Sequence, residues 1–153
     1  MQQNDTPAMR RMKFLGSYTY QLDDKGRVSL PAAFRHAAAD QRFVLIQVHA
    51  PALALYPESE WVKVEERLQE MLQRRPESRL FVLNLLANAV EVSPDGQGRI
   101  LIPATMREAG NLDGQVQMIG AIDRIEIWNP ADFTKSAETD ESEFRSFVPQ
   151  IFG

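Results

Sequence analysis

The feature that most constrains this chain is that it says the same thing twice. Residues 23–35 (DDKGRVSLPAAFR) return as residues 95–107 (DGQGRILIPATMR), each position displaced by 72 with no gap. The register continues beyond the motif. Val44 falls on Val116, Leu55 on Ile127, Tyr56 on Trp128 and Trp61 on Phe133. A self-match held over about forty residues marks a duplicated structural unit.

Each copy carries its own folding instructions. Asp23 and Asp95 open a turn by accepting from its backbone, and Gly26 and Gly98 supply a residue able to take positive φ. Short β-compatible runs follow, Arg27–Leu30 and Arg99–Ile102. Pro31 and Pro103 are placed for the first position of a helix, where a missing amide hydrogen costs nothing. Arg35 and Arg107 then lie one helical turn further on. The unit reads as hairpin, strand and short helix, with one arginine beside a glycine turn and another on the helix.

These paired motifs resemble the SpoVT/AbrB-type DNA-binding module. Two copies in a chain of this length, with FLGSYTYQLDDKGR near the start and EIW closing the second copy, are similar to the MraZ family of bacterial transcriptional regulators. The resemblance covers roughly residues 12–135. It implies an α+β, β-rich fold in which two tandem AbrB-like, swapped-hairpin units pack as a pseudo-dimeric barrel with connecting helices. It also implies ring-like homo-oligomers binding tandem promoter repeats in double-stranded DNA, upstream of a division and cell-wall operon that the protein represses. The site would be cytoplasmic and nucleoid-associated, with no cofactor.

The expected organisation is a disordered leader over 1–11, unit one over 12–63, a helical connector over 64–88, unit two over 89–134 and an acidic tail over 135–153. Within it, 14–22, 42–48, 52–56, 89–92, 115–120 and 124–128 read as strands. Trp61, Val64, Leu68, Met71 and Leu72 recur at helical spacing within 58–74. Leu80–Leu86 is an apolar run expected to form a buried helix. Asn129-Pro130 reads as a helix N-cap. Residues 135–146 read as a loosely held helix or tail, with Phe147, Val148, Ile151 and Phe152 able to dock on something.

Composition bounds the function. The chain has 153 residues, no cysteine and a net charge of −4. Disulfides and thiolate metal sites are therefore excluded, and no apolar run approaches the roughly 18 residues of a membrane helix. An acidic total argues against nucleic acid, whose binders show a basic footprint. The charge is unevenly spread, however. Arg10, Arg11, Lys13, Lys25, Arg27 and Arg35 face only Asp23 and Asp24 within 9–35, whereas 132–145 carries five acidic residues against two basic.

Arg27 and Arg99 are the foremost DNA-contacting candidates, with Lys25 at the turn apex suited to a phosphate. Arginine can bond guanine O6 and N7 bidentately in the major groove. The alternative is that Asp23 pairs with Arg27, and Asp95 with Arg99, to stiffen the turns; both roles can hold at once. Arg35 and Arg107 suit either backbone phosphates or intramolecular pairing. The second turn has Gly96 and Gln97 where the first has Asp24 and Lys25, so the first unit should bind more strongly. Trp61, Trp128, Tyr56 and Phe133 read as core. His36, read as a helix-surface residue, and His49, read as a loop residue, lack partners at metal or catalytic spacing, no phosphate-loop or nucleophile-elbow pattern occurs, and no enzyme is expected. The other reading is an antitoxin-like interaction module acting through a protein partner.

Overall fold

The computed structural model describes residues 13–37, 42–138 and 140–153; the leader expected over 1–11 lies outside them. Eight strands and six α-helices are found among these residues. The strands are β1 Ser17–Gln21, β2 Arg27–Ser29, β3 Phe43–His49, β4 Ala52–Pro57, β5 Val90–Val92, β6 Arg99–Leu101, β7 Gln115–Gly120 and β8 Ile125–Trp128. The helices are α1 Ala32–Ala37, α2 Glu58–Arg74, α3 Arg79–Ala87, α4 Ala104–Ala109, α5 Pro130–Ser136 and α6 Glu141–Phe152.

The duplication governs the topology. Six strands form one antiparallel sheet in the order β1-β7-β8-β4-β3-β5, and β2 pairs with β6 in a separate two-stranded ribbon. Exchanging each strand for its repeat-equivalent reverses that order and leaves it unchanged, so the fold has an internal pseudo-twofold axis between β8 and β4. The halves interleave across it. β1 of the first half pairs with β7 of the second, and β5 of the second pairs with β3 of the first.

Two expectations are corrected by this arrangement. The large sheet is open, with β1 and β5 as its edges, and no closed barrel forms among the described residues. Nor does each unit make its own hairpin across the Asp–Gly turn: β1 and β2 share no ladder. The turn instead carries the chain from the large sheet into the ribbon, where the three-residue β2 finds its partner in the other half.

One core serves both halves. Val28, Leu30, Phe34, Leu45 and Leu55 of the first unit join Ile100, Ile102, Met106, Val116 and Ile127 of the second in a single buried cluster. Small β-rich units bury too little apolar surface alone, and the first unit adds only a small cluster of its own, Val44, Ile46, Ala54 and Trp61. Phe34 anchors α1 there, meeting Phe14 and Tyr18 edge-to-face at centroid distances of 5.6 and 5.2 Å. The aromatic residues matched by the repeat form equivalent pairs, Tyr56 with Trp61 at 5.9 Å and Trp128 with Phe133 at 5.3 Å. Both are packing contacts, half-buried or better.

The helices depart from expectation in detail. α1 and α4 begin one residue after Pro31 and Pro103, and Pro103 takes the extended conformation of a cap (φ −58°, ψ 150°). Asn129 caps α5 by accepting from the Asp132 amide, with Pro130 at the first helical position. The run 80–86 is helical within α3 but largely uncovered. Val82 alone is buried in it, while Leu80, Phe81, Leu83 and Leu86 are exposed. The run is apolar on all sides, yet it packs on one, through Leu85 against the Trp61 cluster. Residues 141–152 form the helix α6, which Asp140 opens by accepting from the Ser142 amide. Phe144, Phe147, Ile151 and Phe152 on it are exposed rather than docked. His36 is exposed on α1, and His49 ends β3 rather than lying in a loop.

Phe34 ties the short α1 to both the core and the ribbon. Phe34→Ala should lower unfolding stability by about 3–5 kcal/mol, the usual cost of deleting a buried phenyl ring, read as a reduced urea midpoint at unchanged m-value.

Candidate nucleic-acid interface

The ribbon is built from the two copies of the Asp–x–x–Gly–Arg turn set antiparallel. Arg27 lies opposite Leu101, Val28 opposite Ile100 and Ser29 opposite Arg99. Strand alternation sends Val28 and Ile100 inward, where both are buried. Arg27, Ser29, Arg99 and Leu101 are left on the outward face.

Each turn is organised around one carboxylate. Asp23 Oδ1 accepts from the amides of Lys25 at 2.9 Å and Arg27 at 2.8 Å, while Oδ2 accepts from Arg27 Nε at 2.8 Å. Asp95 repeats this with Gln97 and Arg99: both amides donate at 2.9 Å and Arg99 Nε at 3.1 Å. The backbone closes the loop through Gly26 N–H to Asp23 O and Gly98 N–H to Asp95 O. Both glycines hold positive φ, +87° and +78°, a region costly for other residues. Arg99 Nη1 also lies 3.9 Å from Asp23 Oδ2, linking the two turns electrostatically.

The arginines are thus braced and presented together. Nε of Arg27 is committed to Asp23, while among the described residues its Nη atoms donate to no protein group. A guanidinium oriented through Nε keeps its outer edge for a second acceptor. Lys25 stands exposed on the turn.

The helix arginines have a different placement. Arg107 Nε donates to the Ile102 carbonyl at 3.0 Å, and Arg35 Nε to the Leu30 carbonyl at 3.2 Å. Each guanidinium then lies against the glycine of the opposite unit's turn. A Cβ at Gly26 would come within 2.7 Å of Arg107 Nε, and one at Gly98 within 2.8 Å of Arg35 Cζ. The ribbon ends are locked in the same crossed sense, with Ile102 N–H donating to Gly26 O and Leu30 N–H to Gly98 O, both at 2.9 Å. Sequence reasoning missed this exchange between units. Its only signal was the strict spacing of Pro, Arg and Gly in both copies.

The Arg27 amide foremost, then the Arg27 guanidinium and the Lys25 amide, hold the Asp23 carboxyl down to about 2 from its ordinary 3.8, against an opposing push from partial desolvation. Asp95 is likewise lowered, first by the Arg99 amide. A depressed carboxylate stabilises the fold above its unfolded pKa and loses that contribution as pH falls through the folded value. The gap in urea midpoint between the protein and Asp23→Asn should therefore be full near pH 6 and shrink steadily from about pH 4 towards pH 2.

The MraZ family, described as "MraZ protein, putative antitoxin-like", matches residues 13–84 and again 85–149. The transcriptional regulator MraZ of Corynebacterium diphtheriae is 40% identical over 141 residues, covering 92% of this chain and 97% of the relative. That of Mycobacterium sp. (strain KMS) is 41% identical over 132 residues, covering 86% and 91%. That of Desulfitobacterium hafniense is 39% identical over 128 residues, covering 82% and 89%.

Proposed function

The chain belongs to the MraZ family, and from that premise we propose that it is a sequence-specific, DNA-binding transcriptional regulator whose ribbon of paired turns meets the duplex. The observation that carries this reading is the outward ribbon face, on which Arg27 and Arg99 are each oriented by an aspartate. The major groove of B-DNA admits a two-stranded β-ribbon. Arg27 and Arg99 reach base edges, Lys25 reaches a phosphate, and the base contacts set sequence while the phosphate contact sets register. Arg35 and Arg107 act mainly beneath the turns, holding them at the height and angle the groove requires. The protein acts on the nucleoid in the cytoplasm and represses the division and cell-wall operon that contains its own gene. No catalytic step belongs to this reading.

A single acidic subunit with so few cations binds weakly, and assembly supplies the remainder. The exposed apolar residues of α3 (Leu80, Phe81, Leu83) and α6 (Phe147, Ile151, Phe152) are suited to contacts between copies. A ring of copies engages tandem repeats, each later contact being intramolecular, with avidity gains of roughly 10²–10⁴. The contrasting reading, capture of a protein partner in the manner of an antitoxin, is favoured by the same exposed helices.

The deciding experiment is fluorescence anisotropy with a duplex from upstream of the chain's own gene and a shuffled control, at two salt concentrations. The native duplex should be preferred, with a log–log salt slope of about −0.9 per phosphate neutralised. Arg27→Ala, still folded and assembled, should lose about 1–3 kcal/mol, roughly 5- to 150-fold, on the native duplex. Equal binding to both duplexes, unchanged in the variant, sends the search to protein partners. Phe147→Asp with Ile151→Asp should lower the mass seen by light scattering. The same pair should weaken binding to a multi-repeat duplex far more than to a single repeat.

A further inference from the structure

The two ends of the ribbon are related by the internal axis but differ in chemistry. One end carries Lys25, Arg27 and, across the ladder from Arg27, Leu101. The other carries Gln97, Arg99 and, across from Arg99, Ser29. Leu101 is 52% exposed on a face whose other members are all polar. A lone exposed leucine is ordinary on most protein surfaces. This one lies on the proposed contact face directly across the ladder from Arg27, at the position the first unit fills with serine.

The major groove offers one apolar feature, the C5 methyl of thymine, and apolar side chains read it by contact. Cross-strand neighbours stand about 5 Å apart, and base pairs are spaced about 3.4 Å along each strand. A side chain opposite Arg27 therefore falls within one or two base pairs of the base that Arg27 reaches. We infer that Leu101 is a specificity-determining residue that packs on a thymine methyl beside the Arg27 contact, so that this pseudo-symmetric ribbon reads an asymmetric site. The inference rests on the reading that the ribbon enters the major groove. The second end, with a serine hydroxyl beside Arg99, tolerates more than one base pair because hydroxyls both donate and accept.

Deoxyuridine, which differs from thymidine only by that methyl, gives a direct test. The probe is a fluorescein-labelled duplex selected by the wild-type protein from a randomised pool, compared with copies in which each thymine in turn is deoxyuridine. One substitution should weaken wild-type binding about 3- to 5-fold, the worth of one buried methyl. Leu101→Ser, which installs the residue the first unit already tolerates, should bind the two duplexes equally; circular dichroism and light scattering confirm its fold and assembly. A wild type indifferent to every substitution, while still preferring its selected duplex and still needing Arg27, overturns the role of Leu101. So does a Leu101→Ser variant that loses as much as the wild type. Failure of the pool to enrich any sequence removes the groove reading itself, a result distinct from both.

Discussion

Everything presented by the ribbon depends on a crossed contact: each unit's turn is packed from behind by the other unit's helix. The guanidinium of Arg107 occupies the space a side chain would need at Gly26, and Arg35 does the same at Gly98. Because both arginines are tied to backbone carbonyls of their own unit, the contact fixes one unit against the other. The aspartates then act within this frame. Asp23 and Asp95 each gather two amides and one guanidinium nitrogen, so a short turn becomes a rigid mount for a long side chain. An arginine has high rotamer entropy when unrestrained, and prior ordering lowers the cost of binding.

The same logic explains why a protein with an acidic total can carry a cationic edge. The two turns hold Lys25, Arg27 and Arg99 against Asp23, Asp24 and Asp95, so the local excess comes from Arg35 and Arg107 packed behind them, while 58–77 and 132–145 together carry 11 of the 21 acidic residues. Local field rather than net charge governs an approaching polyanion at short range.

Much of this was legible in the sequence because it is repeated there. The constant spacing of 72 residues foretold matched strands, matched turns and matched aromatic pairs, and β7 falls on 115–120 as read from the repeat. The Asp–Arg brace was legible as one of two open roles. What stayed hidden was how the halves join. Nothing local says that β1 pairs with β7 and not with β2, since strand partnership at long range leaves no periodicity. Nor does hydropathy distinguish an apolar helix inside a core from one on a surface, which is why 80–86 was expected to be covered. The Arg35 and Arg107 placements were invisible for a similar reason: the acceptors of their Nε atoms are backbone carbonyls and the turn residues they pack against are glycines, partners without a side-chain signature.

The interleaved sheet also sets the order in which the molecule can be made. As the chain leaves the ribosome, β1 and β2 appear early, yet their partners β7 and β6 lie at 115–120 and 99–101. The first unit therefore emerges with β1 and β2 unmatched, holding among its described residues the β3–β4 ladder until the second unit arrives. At roughly 5–20 residues per second, the 94 positions separating Gln21 from its ladder partner Gln115 correspond to several seconds of exposed strand edge. Such edges are where chains join wrongly to their neighbours. A fold that duplicates itself to gain a shared core thus places a burden on synthesis: the nascent first half of one molecule is always a plausible partner for the second half of another.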